Sequence, residues 1–160
     1  MTNEKFILLA EDDDNDVLLL ERAFEKAGLR HSLRIVRDGD QAIQYLEGRG
    51  IYSDRKKFPL PFLMLLDLKM PGTGGFEVIQ WIRREPELKR LLVVVLTSSN
   101  VQSDVDRAYE LGANSYLVKP VSFDEMANLI QRFEMYWTEI NRTPSAPTPD
   151  RLAASESTLV

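Results

Sequence analysis

The chain contains no cysteine and a single histidine, His31. Without cysteine the protein can form neither a disulfide framework nor a thiolate metal site, and one histidine does not make a histidine-rich metal cluster. A cysteine-free chain of this kind is typical of a protein that works in a reducing compartment. We therefore expect a cytoplasmic protein.

Long hydrophobic runs and an excess of basic residues are also missing. The first apolar stretch, Phe6 to Ala10, has five residues and is followed by acids, which is too short for a membrane span or a signal peptide. The formal net charge is -5, and the basic pieces Arg83-Arg84 and Arg55 to Lys57 are short. A nucleic-acid surface would need clustered lysine and arginine. We expect neither a membrane nor a nucleic-acid partner.

Five short apolar runs alternate with longer segments of helical periodicity. Between the first two runs, for example, Val17, Leu20, Phe24 and Ala27 recur at helical spacing. Strands that are apolar on both faces and joined by helices predict a parallel sheet covered on both sides. The predicted fold is an α/β three-layer sandwich built from five βα units. The predicted strands are Phe6 to Ala10, Leu33 to Val36, Phe62 to Leu66, Leu91 to Leu96 and Tyr116 to Val118.

The length of 160 residues suits one domain followed by a tail. Residues 1–142 form the predicted domain. Residues 143–160 contain three prolines and many Ser, Thr and Ala residues without apolar periodicity, which is typical of a disordered tail. Gly48 to Pro61 mixes glycine, charge and proline, and predicts an irregular surface loop. Gly28 and Gly112 are placed to end the first and fourth helices.

Polar residues follow the predicted strands at the points where these strands end: Glu11 and Asp12, then Asp67, Thr97 and Lys119. Parallel strands bring such residues to one edge of a sheet. Three carboxylates in a partly buried site repel one another unless a cation neutralises them, and oxygen ligands alone favour Mg²⁺. A divalent ion and the ammonium of Lys119 would attract a phosphoryl group, for which Thr97 supplies a hydroxyl donor.

Helix capping is the simplest alternative for acids that follow a strand, and Asp13, Asp14 and Asn15 are suitable N-cap residues. For Asp14 or Asn15 alone we favour the cap. Capping accounts for no more than one or two of the polar residues at the strand ends, so the combination favours a functional site.

Four segments resemble the receiver domain of two-component response regulators: ILLAEDDDND, LLDLKMPGTGGFEVI, VVLTSS and GANSYLVKPVS. The resemblance covers about residues 5 to 140. The acceptor loop, the Thr-Ser pair and the Lys-Pro pair occur in the order found in this family. Their spacing is 30 residues from Asp67 to Thr97 and 22 from Thr97 to Lys119.

The resemblance implies a flavodoxin-like (βα)5 fold with strand order 2-1-3-4-5. It also implies that Asp67 is the phosphoacceptor, a nucleophile that takes a phosphoryl group from the phosphohistidine of a kinase. Asp12 and Asp67 would bind Mg²⁺ together with the backbone carbonyl of Lys69, while Glu11 would act through metal-bound water. Lys119 would pair with the phosphoryl oxygens.

The family's switch would involve Thr97, which moves toward the phosphoryl group, and Tyr116, which swings inward behind it. The simpler alternative for Tyr116 is an aromatic residue packed on the sheet. The resemblance further implies a cis peptide bond between Lys119 and Pro120; a trans proline that starts a helix is the alternative.

We expect no effector domain after residue 142, and therefore a stand-alone regulator that acts through protein interaction. The last helix carries an apolar stripe wider than one core-facing helix usually needs. Exposed aromatic residues there predict a symmetric homodimer; a long helix that only covers its own sheet is the alternative. The predicted interface residues are Leu129, Phe133, Tyr136, Trp137 and Ile140.

The expected partner is a sensor histidine kinase or a phosphotransfer protein. The opening segment AEDDDNDVLLLERAF and the extended loop from Gly48 to Pro61 are similar to those of regulators paired with bacterial phytochrome kinases. We expect a phosphoacceptor signalling protein and no enzyme beyond its own phosphorylation and dephosphorylation. A phosphorylation-independent binding module is the main alternative. A metal-dependent phosphatase is disfavoured because Lys69 stands where such enzymes have a second acid. A flavodoxin-like cofactor site is disfavoured because the acids that follow the first strand would repel the phosphate of a cofactor.

Overall fold

A computed structural model describes residues 5–29 and 33–145, so His31 and residues 146–160 of the predicted tail lie outside the described part. The strands are β1 (Ile7–Ala10), β2 (Leu33–Val36), β3 (Leu63–Leu66), β4 (Leu92–Thr97) and β5 (Ser115–Val118). The helices are α1 (Asp14–Lys26), α2 (Gly39–Glu47), α3 (Gly75–Arg84), α4 (Gln102–Leu111) and α5 (Phe123–Glu134). A 3-10 turn covers Gly50–Tyr52, and a π-helical segment, Met135–Ile140, extends α5.

The five strands form one parallel sheet in the order β2-β1-β3-β4-β5. Side chains that alternate along the strands enter two cores, one on each face of the sheet. Helices α1 and α5 cover one core, and α2, α3 and α4 cover the other. Both the three-layer sandwich and the strand order are as predicted, because β1, β3 and β4 are apolar and buried on both faces.

Helix ends agree with the capping signals at several positions. Asp13 is the N-cap of α1, since its carboxylate accepts from the backbone N–H of Asp16 at 3.0 Å. Gly112 ends α4 in the left-handed conformation with φ 111°, and Gly28 follows the end of α1 with φ 78°. Of the three candidate caps for the first helix, the structure uses neither Asp14 nor Asn15.

Helix α4 is the least firmly packed of the five. Ala108 is its one buried residue, whereas Val105 and Leu111, which recur with it at helical spacing in the sequence, are only partly buried. Val101 is the N-cap residue and is 53% exposed. The periodicity was right for a helix but overstated the apolar area that this helix buries.

Arg83 fixes the far end of α4. Its guanidinium donates hydrogen bonds to the carbonyl oxygens of Gly112 at 2.9 Å, Lys89 at 2.8 Å and Leu91 at 2.8 Å, and to the side-chain oxygen of Asn114 at 2.9 Å. One side chain of α3 therefore joins the end of α4 to the segment that leads into β4.

The segment from Gly48 to Pro61 is an irregular surface loop, as predicted, with one 3-10 turn and several contacts to α2. The rings of Tyr45, Tyr52 and Phe58 pack together with centroid distances of 5.0 to 6.0 Å. Arg55 donates to the carbonyl oxygens of Tyr45 and Leu46 at the end of α2. The arginine satisfies carbonyls at the end of α2, and two aromatic rings of the loop pack partly buried against the core, so these contacts anchor the loop to α2.

The predicted interface on the last helix needs correction. Phe133 and Trp137 are buried in the core shared with α1, so the prediction that they line an interface is wrong. Leu129 is partly buried against the same core, whereas Tyr136 is 48% and Ile140 63% exposed. The stripe is wide because one of its sides covers the chain's own sheet.

Across the described ranges, no helix is both long enough and apolar enough to cross a membrane.

Gly75 allows α3 to start directly under the strand-end loop. A Cβ atom at this position would lie 2.4 Å from the backbone oxygen of Asp67 and 2.7 Å from Cα of Leu68. We expect Gly75→Ala to lower the free energy of unfolding by about 1–3 kcal/mol, because backbone must move to make room. Urea unfolding measures this. Gly74→Ala is the matched control, since its Cβ would meet only the Leu68 oxygen at 3.4 Å; equal losses would contradict the prediction.

Candidate functional site

Sheet hydrogen bonds place the acidic residues side by side. Ala10 and Leu66 are register partners at the ends of β1 and β3. One residue further on, the backbone N–H of Asp67 donates to the oxygen of Ala10 at 3.1 Å, and that of Glu11 donates to the oxygen of Val36 at 3.1 Å. The side chains that follow the two strands are therefore fixed next to each other by the backbone.

Three of the predicted residues form a carboxylate cluster. Glu11, Asp12 and Asp67 each offer one carboxylate oxygen, and these atoms lie within 4.8 Å of one another. Glu11 and Asp67 are buried, while Asp12 is exposed. Three convergent carboxylate oxygens without nitrogen or sulfur ligands suit a hard divalent cation, so this donor set fits the predicted metal.

Lys69 lies on the turn that follows Asp67. Its backbone N–H donates to Oδ1 of Asp67 at 3.4 Å, which helps to orient that carboxylate. Ligation by the Lys69 carbonyl stays a prediction.

Lys119 reaches the cluster from the end of β5. Its Nζ donates to Oε2 of Glu11 at 2.5 Å, Oδ2 of Asp16 at 3.0 Å and Oδ2 of Asp67 at 3.1 Å. The lysine side chain is 7% exposed. Since an ammonium has three N–H donors, all of them are used on carboxylates.

Burial raises the pKa of Glu11 to about 7, and the negative charge of Asp67 adds to the rise, although the hydrogen bond from Lys119 opposes it. Burial alone would lower the pKa of Lys119, but the hydrogen bond to Glu11 and the charge of Asp67 outweigh it and raise the pKa. Lys119 is therefore a permanent cation, whereas Glu11 needs further positive charge nearby to stay fully ionised at neutral pH.

Thr97 and Tyr116 meet at the loop between β4 and α4. Thr97 is fully buried, and its Oγ1 accepts from the backbone N–H of Ser99 at 3.5 Å. The hydroxyl of Tyr116 donates to the carbonyl oxygen of Ser99 at 2.9 Å, and its ring packs partly buried against the core. The two predicted switch residues are thus joined through one loop residue, and their movement stays a prediction.

The Lys119–Pro120 peptide bond is trans, as are the other peptide bonds of the described residues, so the predicted cis bond is wrong. The backbone N–H of Lys119 donates to the oxygen of Thr97 at 2.7 Å, which extends the pairing of β5 with β4. With the strand continued in this way, the ammonium reaches the site from a trans backbone, which is the intrinsically favoured isomer.

Asp16 and Ser99 belong to the site but were not predicted. Asp16 lies in the first turn of α1, where its backbone N–H donates to the cap residue Asp13 and its carboxylate accepts from Lys119. Ser99 donates from Oγ to Asp104 at 2.6 Å and so connects the loop to α4. The N-cap pattern at Asp13 could have drawn attention to Asp16 in the sequence. Ser99 makes its contacts across a loop, and no local sequence pattern predicts such contacts.

A family model described as the response regulator receiver domain matches residues 7–131. The chain is 40% identical over 141 residues to the probable methanogenesis regulatory protein FilR2 of Methanothrix harundinacea, covering 86% of each chain. It is 39% identical over 142 residues to the response regulator Rcp1 of Synechocystis sp., covering 89% of this chain and 95% of Rcp1.

Solved structures of response regulators are also similar to this chain. The response regulator RPA3017 in red light signaling of R. palustris superposes with a TM-score of 0.84 at 34% identity, over 89% of this chain and 99% of that one. The phosphorylated cyanobacterial phytochrome response regulator RcpA gives 0.81 at 34% identity, over 89% and 99%. The Mn²⁺-bound form of Rcp1 gives 0.78 at 38% identity, over 89% and 100%.

Lys119 compensates two buried carboxylates, so its removal should destabilise the fold. Without the ammonium, Glu11 and Asp67 are left buried without this cationic partner. We expect Lys119→Met to lower the free energy of unfolding by about 3 kcal/mol in the presence of EDTA, and added Mg²⁺ to restore part of the loss. Urea unfolding measures both effects. Lys69→Met, which removes an exposed lysine nearby, is the control; a similar loss there would argue against the prediction.

Proposed function

This chain belongs to the response regulator receiver domain family, and from that membership we propose that Asp67 accepts a phosphoryl group from a histidine kinase in a Mg²⁺-dependent reaction. One observation carries the proposal. The buried carboxylate of Asp67 lies 3.1 Å from the ammonium of Lys119 and within 4.8 Å of the carboxylates of Glu11 and Asp12. A nucleophile, a cation and a set of metal ligands thus share one edge of the sheet.

Asp67 is oriented for the transfer by bonds to both of its oxygens. Lys69 N–H contacts Oδ1, and Lys119 contacts Oδ2. In the reaction a P–O bond forms to one carboxylate oxygen while the P–N bond to the kinase histidine breaks, and its electron pair returns to the imidazole nitrogen. The N–H donors of Lys119 and the hydroxyl of Thr97 are the groups available to the phosphoryl oxygens.

Asp12 and Asp67 would hold the metal directly, with the carbonyl of Lys69 as a further oxygen ligand, and Glu11 would act through metal-bound water. When bound, Mg²⁺ offsets the negative charge of the acceptor and of the phosphoryl group. Carboxylate oxygens favour Mg²⁺ over the softer metals, and the Mn²⁺-bound form of the relative Rcp1 supports a divalent site in this family.

The signal would leave the site through Ser99. The backbone N–H of Ser99 donates to Thr97 Oγ1, and the carbonyl oxygen of Ser99 accepts from the hydroxyl of Tyr116. If the Thr97 hydroxyl turns to the phosphoryl group, the bond from Ser99 is lost and the loop into α4 rearranges together with Tyr116. Helix α4 can follow at low cost, because Ala108 is its one buried residue.

The phosphoryl donor would be a sensor histidine kinase of the phytochrome type, acting directly or through a phosphotransfer protein in the cytoplasm. The descriptions of RPA3017 and RcpA support this pairing, since the first refers to red light signaling and the second to phytochrome. We assign residues 1–142 to the receiver domain and residues 143–160 to a tail outside it.

The output would be a homodimer that forms through the α4–α5 side of the molecule. Exposed apolar side chains support this surface: Tyr109 on α4 is 48% exposed and Val118 on β5 is 44% exposed, in addition to Tyr136 and Ile140 beyond α5. Leu129 contributes its exposed part. Isolated exposed apolar residues are ordinary, but several near one side mark an interface.

Phosphorylation is tested by intact mass. With acetyl phosphate and Mg²⁺, we expect the wild-type protein to gain the mass of one phosphoryl group and to lose it again on standing. Asp67→Asn should gain nothing, since an amide is not a nucleophile here, and EDTA should abolish the gain until Mg²⁺ is returned. An equal gain on Asp67→Asn would refute Asp67 as the acceptor. No gain on either protein would favour the phosphorylation-independent binding module.

Dimerisation is tested by sedimentation at several concentrations, with and without acetyl phosphate. We expect Ile140→Asp to raise the dimer dissociation constant by about tenfold or more, because it puts a charge into an apolar contact. Ile51→Asp is the matched control, since Ile51 is 76% exposed on the 3-10 turn. Equal effects of the two variants would rule out this surface.

A further inference from the structure

The first turn of α1 is tied to the sheet on both sides by ion pairs. Asp14 pairs with Arg37, which follows β2, at 2.5 Å. Asp16 pairs with Lys119, which follows β5, at 3.0 Å. The two aspartates differ in surroundings, because the side chain of Asp14 is 91% exposed and that of Asp16 is 39% exposed.

Phosphorylation of Asp67 creates a competition for the ammonium of Lys119. Its three N–H donors are spent on Glu11, Asp16 and Asp67. The donor that contacts Asp67 can pass to one phosphoryl oxygen, because Asp67 is no longer a free carboxylate once it is phosphorylated. A second contact between Lys119 and the phosphoryl group must displace Glu11 or Asp16. The partner that returns to water at the lowest cost is the most exposed one, since a buried carboxylate that loses its cation stays poorly solvated.

Asp16 is that partner. The side chains of Glu11 and Asp67 are 1% and 9% exposed, against 39% for Asp16. We propose that Asp16 is a positioning residue that holds the Lys119 ammonium beside α1 in the unphosphorylated protein and gives it up to the phosphoryl group. The proposal rests on the proposed function of Asp67, and it assigns to Asp16 control over how readily Lys119 becomes available.

The exchange has a second effect on α1. The ion pair between Asp16 and Lys119 ties its first turn to the β5 end of the sheet, and this tie is lost when Lys119 turns to the phosphoryl group. The tie between Asp14 and Arg37 on the β2 side does not involve the site and stays. Phosphorylation would thus loosen one side of the helix start, independently of the path through Ser99.

Asp16→Asn and Asp14→Asn form a matched pair for the test. Both remove one negative charge from the same helix turn, and only the first touches Lys119. The rate of phosphorylation is measured by intact mass over a range of acetyl phosphate concentrations, in about 1 M NaCl to screen general charge effects. The transfer forms the P–O bond to Asp67 and releases acetate with the electron pair of the broken P–O bond.

We expect Asp16→Asn to raise the maximal rate about fivefold, with an unchanged half-saturating concentration, because Lys119 is freed for the reaction step alone. Asp14→Asn should stay within about twofold of the wild type. Equal rates for the two variants, or a slower reaction of Asp16→Asn, would overturn the proposal.

A measurement without phosphorylation separates this proposal from the proposed function. In protein labelled with ¹⁵N-lysine, the NMR signal of the Lys119 ammonium is assigned by its loss in Lys119→Met. We expect Asp16→Asn to shift or broaden this signal and Asp14→Asn to leave it unchanged. An unchanged signal in Asp16→Asn would refute the holding role, even if Asp67 is phosphorylated normally. A shifted signal in a protein that takes up no phosphoryl group would refute the function of Asp67 and leave the holding contact established.

Discussion

The ammonium of Lys119 is the contact on which the organisation of this site depends. It joins the ends of β1, β3 and β5 and the first turn of α1 through residues that are 52 to 108 positions apart in the chain. One cation compensates several carboxylates here, so the site stays negative as a whole. That residual charge favours a divalent ion at the site. The pKa of Glu11 is raised mainly by burial, and the negative charge of Asp67 adds to the rise.

The molecule divides into a firmly packed part and a loosely packed part. The central strands are buried on both faces, and Phe24, Phe133 and Trp137 fill the core between α1 and α5. Helix α4, in contrast, has Ala108 as its one buried residue. A rearrangement beside Thr97, if phosphorylation causes one as proposed, would therefore meet less resistance on the α4 side than on the α1 and α5 side.

The sequence was sufficient for the sheet and for much of the site, because both depend on local patterns. Apolar runs separated by helices predict parallel strands, and parallel strands bring Glu11, Asp67 and Lys119 to one edge. Contacts between distant segments were less accessible. The burial of Trp137 by α1 and the role of Asp16 both depend on how two helices meet the sheet. The cis bond at Pro120 was predicted from a resemblance alone. The bond is trans, and the backbone hydrogen bond from Lys119 to Thr97 forms with this trans bond in place.

Arg83 has a consequence for how α4 can move. Its four hydrogen bonds all go to neutral oxygens, three of the main chain and one of an amide, so neither salt nor a change in protonation weakens them selectively. These bonds hold the end of α4 at Gly112, and its start is attached through the hydrogen bond from Ser99 to Asp104. If the Ser99 loop rearranges, the start of α4 would be released while its end stays bonded, so we expect a movement of α4 to be a rotation about Gly112. A protein that recognises the altered state would have to contact the first two turns of α4, where a rotation of this kind produces the largest displacement.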